Sequence, residues 1–389
     1  MSKPLNILVF AGYFFPYRGG YVESLYGLAK RLVLSGHSVT IVTCNISKGA
    51  AEETIEGVKI IRLPGWHLLG GTYPIVALTP KAFFMGMKLM RLKVDVVSTQ
   101  TRFFVTSFLG ALYAMVRRRP LIHTERGAYH SVVRSRFIDF ASRVIDHTMG
   151  WFVVRRAKRN VGVSKAACEF IRHLGGRNVT LIPNGVEIPP ALSDAERGRL
   201  LEKWGFSSPD KMLLFVGRLV YAKGVQDVLA ILPALIKKEP RLIFTVVGDG
   251  PYRSRLEEKV AQLGLKDRVR FLGLLSSHEV IECMQLSHFF VNPSHSEGLP
   301  RSVLEAASNG LPIVASNVGG TADIIVHQKN GLLFDLNQKN DMESHLRLLL
   351  SDSKLSARLG KSARMHVQVD FSWPTILRSY VDLFHEVVQ

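Results

Sequence analysis

Apolar runs and amphipathic stripes alternate along the chain in two successive rounds. The first opens with LNILVFAG (Leu5–Gly12), a run without charge that reads as a strand buried on both faces. After the loop YFFPYRGG comes YVESLYGLAKRLVLSG, where Val22, Leu25, Ala29, Leu32 and Val33 recur at helical spacing until Gly36 ends the helix. HSVTIVTC (His37–Cys44) is the next strand, so strand, helix and strand predict parallel pairing through a right-handed crossover. Further strands are expected at Val58–Leu63, Val94–Ser98 and Leu121–Thr124. The second round repeats the plan. MLLFVGRL (Met212–Leu219) leads through the loop VYAKG to a helix at Val225–Lys237 and the strand LIFTVVGDG. Val269–Leu272, Phe289–Val291 and Pro312–Ser316 continue the alternation. Between the rounds, TLIPNGVEIPP breaks the pattern with Pro183, Pro189 and Pro190, and a polar helix follows. The expected architecture is two Rossmann-like, doubly wound α/β domains, 1–185 and 186–369, facing a central cleft at the C-terminal ends of both sheets.

A length of 389 residues supports two domains, and 32 glycines suit an α/β chain with many tight turns. Cys44, Cys168 and Cys283 are far apart and fit no metal-ligand spacing, which implies a reduced, cytosolic compartment. No apolar run reaches about 18 residues, so no membrane-spanning helix is expected. MSKPLNILVFAGYF is too short for a signal peptide and reads as the first buried strand. Charge changes the picture more. The net charge is +18, and residues 81–160 alone carry 16 Lys/Arg against Asp95, Glu125, Asp139 and Asp146. Residues 161–389 are nearly balanced, with 27 Lys/Arg and 24 Asp/Glu. Nucleic acid, an anionic membrane surface or a phosphorylated substrate would each account for a basic first half.

Candidate chemistry lies on the turns that follow strands. Arg18-Gly19-Gly20 precedes a helix and lets the backbone approach a ligand with its N–H groups. It is not a GxGxxG fingerprint, nor is there a Walker A loop, and a Gly-Gly turn is often only a turn. In GRLVYAKG, Arg218 and Lys223 flank a strand-to-helix turn, as two cations converging on one anion or as two solvated ones. Gly248-Asp249-Gly250 closes the next strand with another tight turn. No Asp-x-Asp pair stands near either cleft edge, so no metal ligands are assigned. In HSEGLPRSVLEAASNGLPIVAS, Gly298 and Pro300 place Glu297 on a loop, whereas Val303, Leu304, Ala306 and Ala307 put Glu305 on the helix after it. The two glutamates bracket a helix N-terminus, where free N–H groups and the dipole favour an anion.

FVGRLVYAKG, VVGDGP, VRFLG and SEGLPRSVLEA resemble the C-terminal half of the retaining glycosyltransferases of family 4. PYRGGYVESLYGLAKRLVLSGHSVTIVT resembles that family's N-terminal signature, and NVGVSKAACEFI with VTLIPNGVE its domain boundary. The resemblance runs over most of the chain in the family's order. It implies the two-domain GT-B fold, with the last helix, 370–389, crossing back to the first domain. It also implies sugar transfer from a nucleotide diphosphate with retention, without a metal or a permanently bound cofactor. By the same resemblance Glu297 would contact the donor sugar, and the backbone of Gly298, Leu299, Pro300 and Arg301 would hold sugar and phosphate. Glu305 would take the ribose diol, and Arg218 and Lys223 the departing diphosphate. Gly19, Gly20 and Gly248 would offer backbone to the donor, a UDP-sugar being favoured over a GDP-sugar. One departure stands out: in PLIHTERG, Arg126 occupies the place of the family's histidine, with His123, Glu125 and His130 close by. A carboxylate pair also suits a retaining hydrolase, but the phosphate-binding set would then serve nothing.

For the acceptor, KAFFMGMKLMRLK (Lys81–Lys93), FFVTSFLGALYAMVRRR and SRFIDFASRVIDHTMGWFVVRR combine bulky apolar residues with cations. Such stretches lie in membrane interfaces when they do not simply pack on a sheet. The expectation is a peripheral enzyme on the cytoplasmic face of the membrane. It would meet an anionic surface through residues 81–160 and act on a lipid-linked or glycan acceptor. The rival is a non-catalytic, glycosyltransferase-like subunit of a membrane assembly. No nucleic-acid module is present, so nucleic acid is not expected as a partner.

Overall fold

The computed structural model describes residues 3–17, 19–46, 49–68, 73–130, 136–207 and 210–389. Two compact units emerge, Met1–Gly185 with Trp373–Gln389, and Val186–Ser372. In the first, the strands are β1 (Asn6–Phe10), β2 (Ser38–Asn45), β3 (Glu52–Ile55), β4 (Val58–Leu68), β5 (Tyr73–Val76), β6 (Val96–Gln100), β7 (Leu121–Glu125), β8 (Arg159–Gly162) and β9 (Val179–Leu181). They are ordered β3-β4-β2-β1-β6-β7-β8-β9, with β5 on β4. All pairs are parallel except those of β3 and β5 with β4. Why β1 lacks polar alternation is plain from its two faces. Ile7 and Val9 enter one core with the helices Gly20–Leu34 and Trp373–Val388, while Leu8 and Phe10 enter another with Val42, Ile61, Val97, Ala111 and Val153.

The second unit holds β10 (Lys211–Val216), β11 (Leu242–Val247), β12 (Val269–Gly273), β13 (Phe289–Asn292), β14 (Ile313–Ser316) and β15 (Leu332–Phe334), all parallel in the order β12-β11-β10-β13-β14-β15. Leu213 and Phe215 pack with Val228, Leu229, Leu232 and Leu235 of the helix Val225–Lys238, and Met212 faces Phe206, Ile243 and Leu286 instead. Both units are Rossmann-like α/β layers of doubly wound strand order.

The strand expected at Met212–Leu219 ends at Val216, and Leu219 is buried within the loop; the chain then makes a short 3₁₀ turn at Tyr221–Lys223. Five strands were not legible as strands, the inner strand RNVG and the three-residue edge VTL among them. EETI carries two charges, YPIV a proline, and LLF is three residues long, too short for any period to show.

Candidate active site

In the second unit β10 pairs with β11 on one side and β13 on the other, so the connections diverge from its C-terminal end. Ligands of open α/β sheets bind at such a switch point. The loops leaving these strands are knitted together by backbone contacts. Leu219 N–H donates to the Asp249 carbonyl at 2.9 Å, His295 N–H to that of Ala222 at 2.7 Å, and Gly320 N–H to that of Gly298 at 3.0 Å. Two glycines allow this closeness. Gly248 has φ +127° and a Cβ there would lie 2.0 Å from the Gly217 carbonyl oxygen; Gly319 has φ +51° and its Cβ would lie 1.8 Å from that of Glu297. No side chain fits either place.

The structure thus gathers Arg218, Lys223, Gly248 and Glu297 on adjoining loops. Lys223 Nζ meets Glu297 Oε1 at 2.6 Å, joining the loop after β10 to the loop after β13. His295 Nε2 lies 2.8 Å from Asp227 Oδ2 and fastens the same two segments from the other side. Arg218 is exposed and its side chain makes no ion pair with a described residue, so its guanidinium is available to an anion. Pro300 caps the helix Arg301–Ser308, with Leu299 and Pro300 buried, so their backbone alone can serve a ligand. Glu305 is held by Arg301 one turn earlier, Nε to Oε1 at 2.6 Å.

In the first unit, Gly19 immediately precedes the helix Gly20–Leu34, and Arg18 lies outside the described residues. Arg126 follows β7. Its Nε donates to Gln100 Oε1 at 3.2 Å, its Nη1 to Asn184 Oδ1 at 2.5 Å, and its guanidinium lies 5.5 Å from the Tyr21 ring centre. Behind it stands a buried charge network that sequence reasoning missed. Arg102 Nη1 contacts Glu125 Oε1 at 3.0 Å, and Arg102 Nη2 donates to Asp146 Oδ2 at 3.0 Å. Glu125 accepts the N–H groups of Arg126 and Gly127 at 2.9 and 2.7 Å. Burial alone would raise the Glu125 carboxyl, but the Arg102 charge, His123 and the Gly127 N–H hold it down at about 2. The ionised carboxylate therefore sets the turn that presents Arg126. A lone arginine in QTRFF and a lone aspartate in a basic segment give no spacing by which to pair them; the pairing of β6 with β7 brings Arg102 to Glu125, and the π-helical turn Asp146–Gly150 brings Asp146 to Arg102.

Residues 18–188 match the family described as Glycosyltransferase Family 4, and residues 196–366 match Glycosyl transferases group 1. An uncharacterised glycosyltransferase of Methanocaldococcus jannaschii is 28% identical over 99% of this chain and all of its own length. The alpha-monoglucosyldiacylglycerol synthase of Streptococcus pneumoniae is 26% identical over 85% of this chain and 75% of its own. Among solved structures, HepE of Anabaena in complex with UDP-glucose superposes with a TM-score of 0.77 at 19% identity, covering 98% of this chain and all of that one. With family matches over most of its length and this fold in both units, the chain belongs to the family 4-type glycosyltransferases of the GT-B fold.

Proposed function

We propose that the protein transfers a sugar from a nucleotide diphosphate, with UDP favoured, to a lipid-linked or glycan acceptor at the cytoplasmic face of a membrane, with retention at the anomeric carbon. The observation that carries the reading is the loop and helix Glu297–Glu305 at the switch point, with Lys223 held on Glu297 and Arg218 free to meet a phosphate. Arg218 and Lys223 bind the diphosphate, so charge arriving on it as the glycosidic C–O bond breaks meets two cations already in position. Glu297 orients the sugar through its hydroxyls, and the N–H groups of Gly298, Leu299 and Arg301 add dipoles. Glu305 accepts from the ribose diol. Gly248, whose N–H donates to the Gly273 carbonyl at 2.8 Å, serves by letting the loops after β10 and β11 approach each other, not by offering a donor of its own. Gly19, Gly20 and Arg126 serve from the first domain. The acceptor oxygen attacks the face that the phosphate leaves, and its proton passes to the departing phosphate oxygen, so no protein nucleophile or metal is needed. HepE supports a UDP-sugar donor and the pneumococcal synthase a glycolipid product, each by its own name.

Calorimetry with UDP, GDP, CDP and ADP tests the donor site. The expected result is that UDP binds and that Arg218→Ala with Lys223→Ala weakens it by at least about tenfold, as the loss of charge-assisted hydrogen bonds implies. No binding by any nucleotide, or binding untouched by the double variant, overturns it.

A further inference from the structure

Three histidines from three separate elements meet in the first unit, none of them among the residues assigned to the donor. His130 closes the segment after β7, His147 lies in a single π-helical turn (Asp146–Gly150), and His173 is the last residue of the helix Lys165–His173. Their ring centres are 5.5, 5.6 and 6.0 Å apart, and one ring nitrogen from each lies within 4.8 Å of the other two. We propose that His130, His147 and His173 form a binding site for a borderline divalent transition metal, Zn²⁺ being the best fit, that fastens the β7 loop to its neighbouring helices.

Two observations separate this cluster from a chance meeting of surface rings. The first is the environment of His130. Its Nδ1 lies 2.6 Å from Asp146 Oδ2, and the Asp146 side chain is 1% exposed. A carboxylate on one ring nitrogen fixes the tautomer and leaves Nε2 as the ligating atom, the usual arrangement behind a metal-bound imidazole. Asp146 is itself fixed by Arg102, and Arg102 by Glu125, so the carboxylate cannot follow the ring if it moves. The network of one arginine and two carboxylates is net negative, which favours a nearby cation despite the basic surroundings. The second is the π-helical turn. Such turns are rare and concentrate at functional sites, and this one presents Asp146 and His147 as neighbours. Phe170 forms the wall, edge-on to His130 at 4.9 Å and stacked with His173 at 5.9 Å.

The geometry is within reach of coordination. Nitrogens bound at about 2.0–2.1 Å around a tetrahedral ion are roughly 3.3 Å apart. His147 and His173 are exposed and can rotate inward to close the present spacing. Three imidazoles leave a fourth position for water. Because the site adjoins the Asp146–Arg102–Glu125 chain, its occupancy stiffens the turn that carries Arg126. The proposal does not depend on which nucleotide the protein uses.

The test uses the full chain without a histidine tag, stripped by chelator and titrated with Co²⁺ as a visible probe and then with Zn²⁺. One equivalent of Co²⁺ is expected to give the ligand-field absorption of a four-coordinate site, and Zn²⁺ to displace it. His147→Ala and His173→Ala should each weaken binding by at least about a hundredfold, while His278→Ala, at an unrelated histidine 83% exposed, should leave it unchanged. Asp146→Asn should weaken it by about ten- to a hundredfold. If that variant does not fold, the two exposed histidine variants decide alone. Failure to bind one equivalent, or binding indifferent to His147→Ala and His173→Ala, overturns the proposal.

Discussion

Gly319 shows how much one hydrogen in place of a methyl group decides. Its φ of +51° disfavours any other residue, and the contact that excludes a Cβ is the carbonyl of Glu297, backbone that cannot swing aside as a side chain would. Gly319→Ala should therefore displace the Glu297 loop and lower UDP affinity by on the order of tenfold, with a stability cost of about 1–3 kcal/mol. Calorimetry and urea denaturation on the same preparation check both numbers. His288 gives a different kind of prediction. Burial, helped by the charges of Arg197 and Lys211, pushes its imidazole down to about 4, and its Nδ1 accepts the Met212 N–H at 3.2 Å. Since the folded value lies below the unfolded one, this stability is complete above about pH 6.5 and lost as pH falls towards 4, up to about 3 kcal/mol. His288→Asn keeps an acceptor near the Nδ1 position without the titration. It should flatten the fall in denaturation midpoint across that window; an unchanged slope would assign the fall to other groups. At this scale the sequence was partly legible. EGLPRSVLEA announced Glu297 and Glu305 through Gly, Pro and apolar spacing, but neither Gly319 nor Asp146 differs in sequence from any turn glycine or surface aspartate. Their constraints come from residues brought near by folding.

Among the elements, the last helix carries an unusual share of the first unit's core. Trp373, Ile376, Tyr380, Leu383, Phe384 and Val387 are all buried there, although more than 180 residues separate them from the rest of that unit. Trp373 lies against two glycines. A Cβ on Gly27 or Gly185 would stand 2.4 Å from its ring, and the Arg31 guanidinium covers it at 4.3 Å. Two effects compete in Gly27→Ala. Alanine is the better helix former by about 1 kcal/mol, but the methyl overlaps a ring fixed in the core, and overpacking costs about 1–3 kcal/mol. The clash should win, with a net loss of stability, whereas Trp373→Ala should cost about 3–5 kcal/mol. A Gly27→Ala protein as stable as the parent in urea would show that the ring has room to move. The elements themselves were read well wherever their period was long. The helix Gly20–Leu34 is of that kind, while β1 and β10 were legible as unbroken apolar runs instead, β10 ending earlier than expected. Where the pattern stopped short, as at β3, β5 and β15, edge pairing with a longer strand decides the conformation, and edge pairing leaves no local mark.

For the molecule as a whole, the question is what its asymmetric charge does. No helix among the described residues is long and apolar enough to cross a membrane. The helix Pro80–Met90, capped by Thr79 through the Ala82 N–H, nevertheless exposes Phe83 and Phe84 at 67% and 64%, with Met87 and Met90 along the same side. Arg117 ties its end to the helix Val105–Val116 by donating to the carbonyls of Met90 and Leu92. Beyond Arg117, Phe108, Leu112, Met115, Trp151 and Phe152 line an open apolar depression of about 620 Å³. Arg118, Arg119 and Arg156 border Met115. Solvated cations alone would not require exposed phenylalanines beside them, and exposed phenylalanines alone would invite aggregation; together they suit the interface of an anionic bilayer. Each Lys or Arg near such a surface contributes about 1 kcal/mol at low salt, and each inserted Phe about 1.5–3 kcal/mol that salt does not screen. The protein should therefore co-sediment with vesicles rich in anionic phospholipid at low salt and be partly released at high salt. Phe83→Ser with Phe84→Ser should weaken partitioning by at least about tenfold at any salt while leaving UDP binding intact, which separates a lost anchor from a lost fold. Indifference to anionic vesicles at low salt would remove the membrane from the proposed function and leave the basic surface to a soluble, phosphate-bearing acceptor.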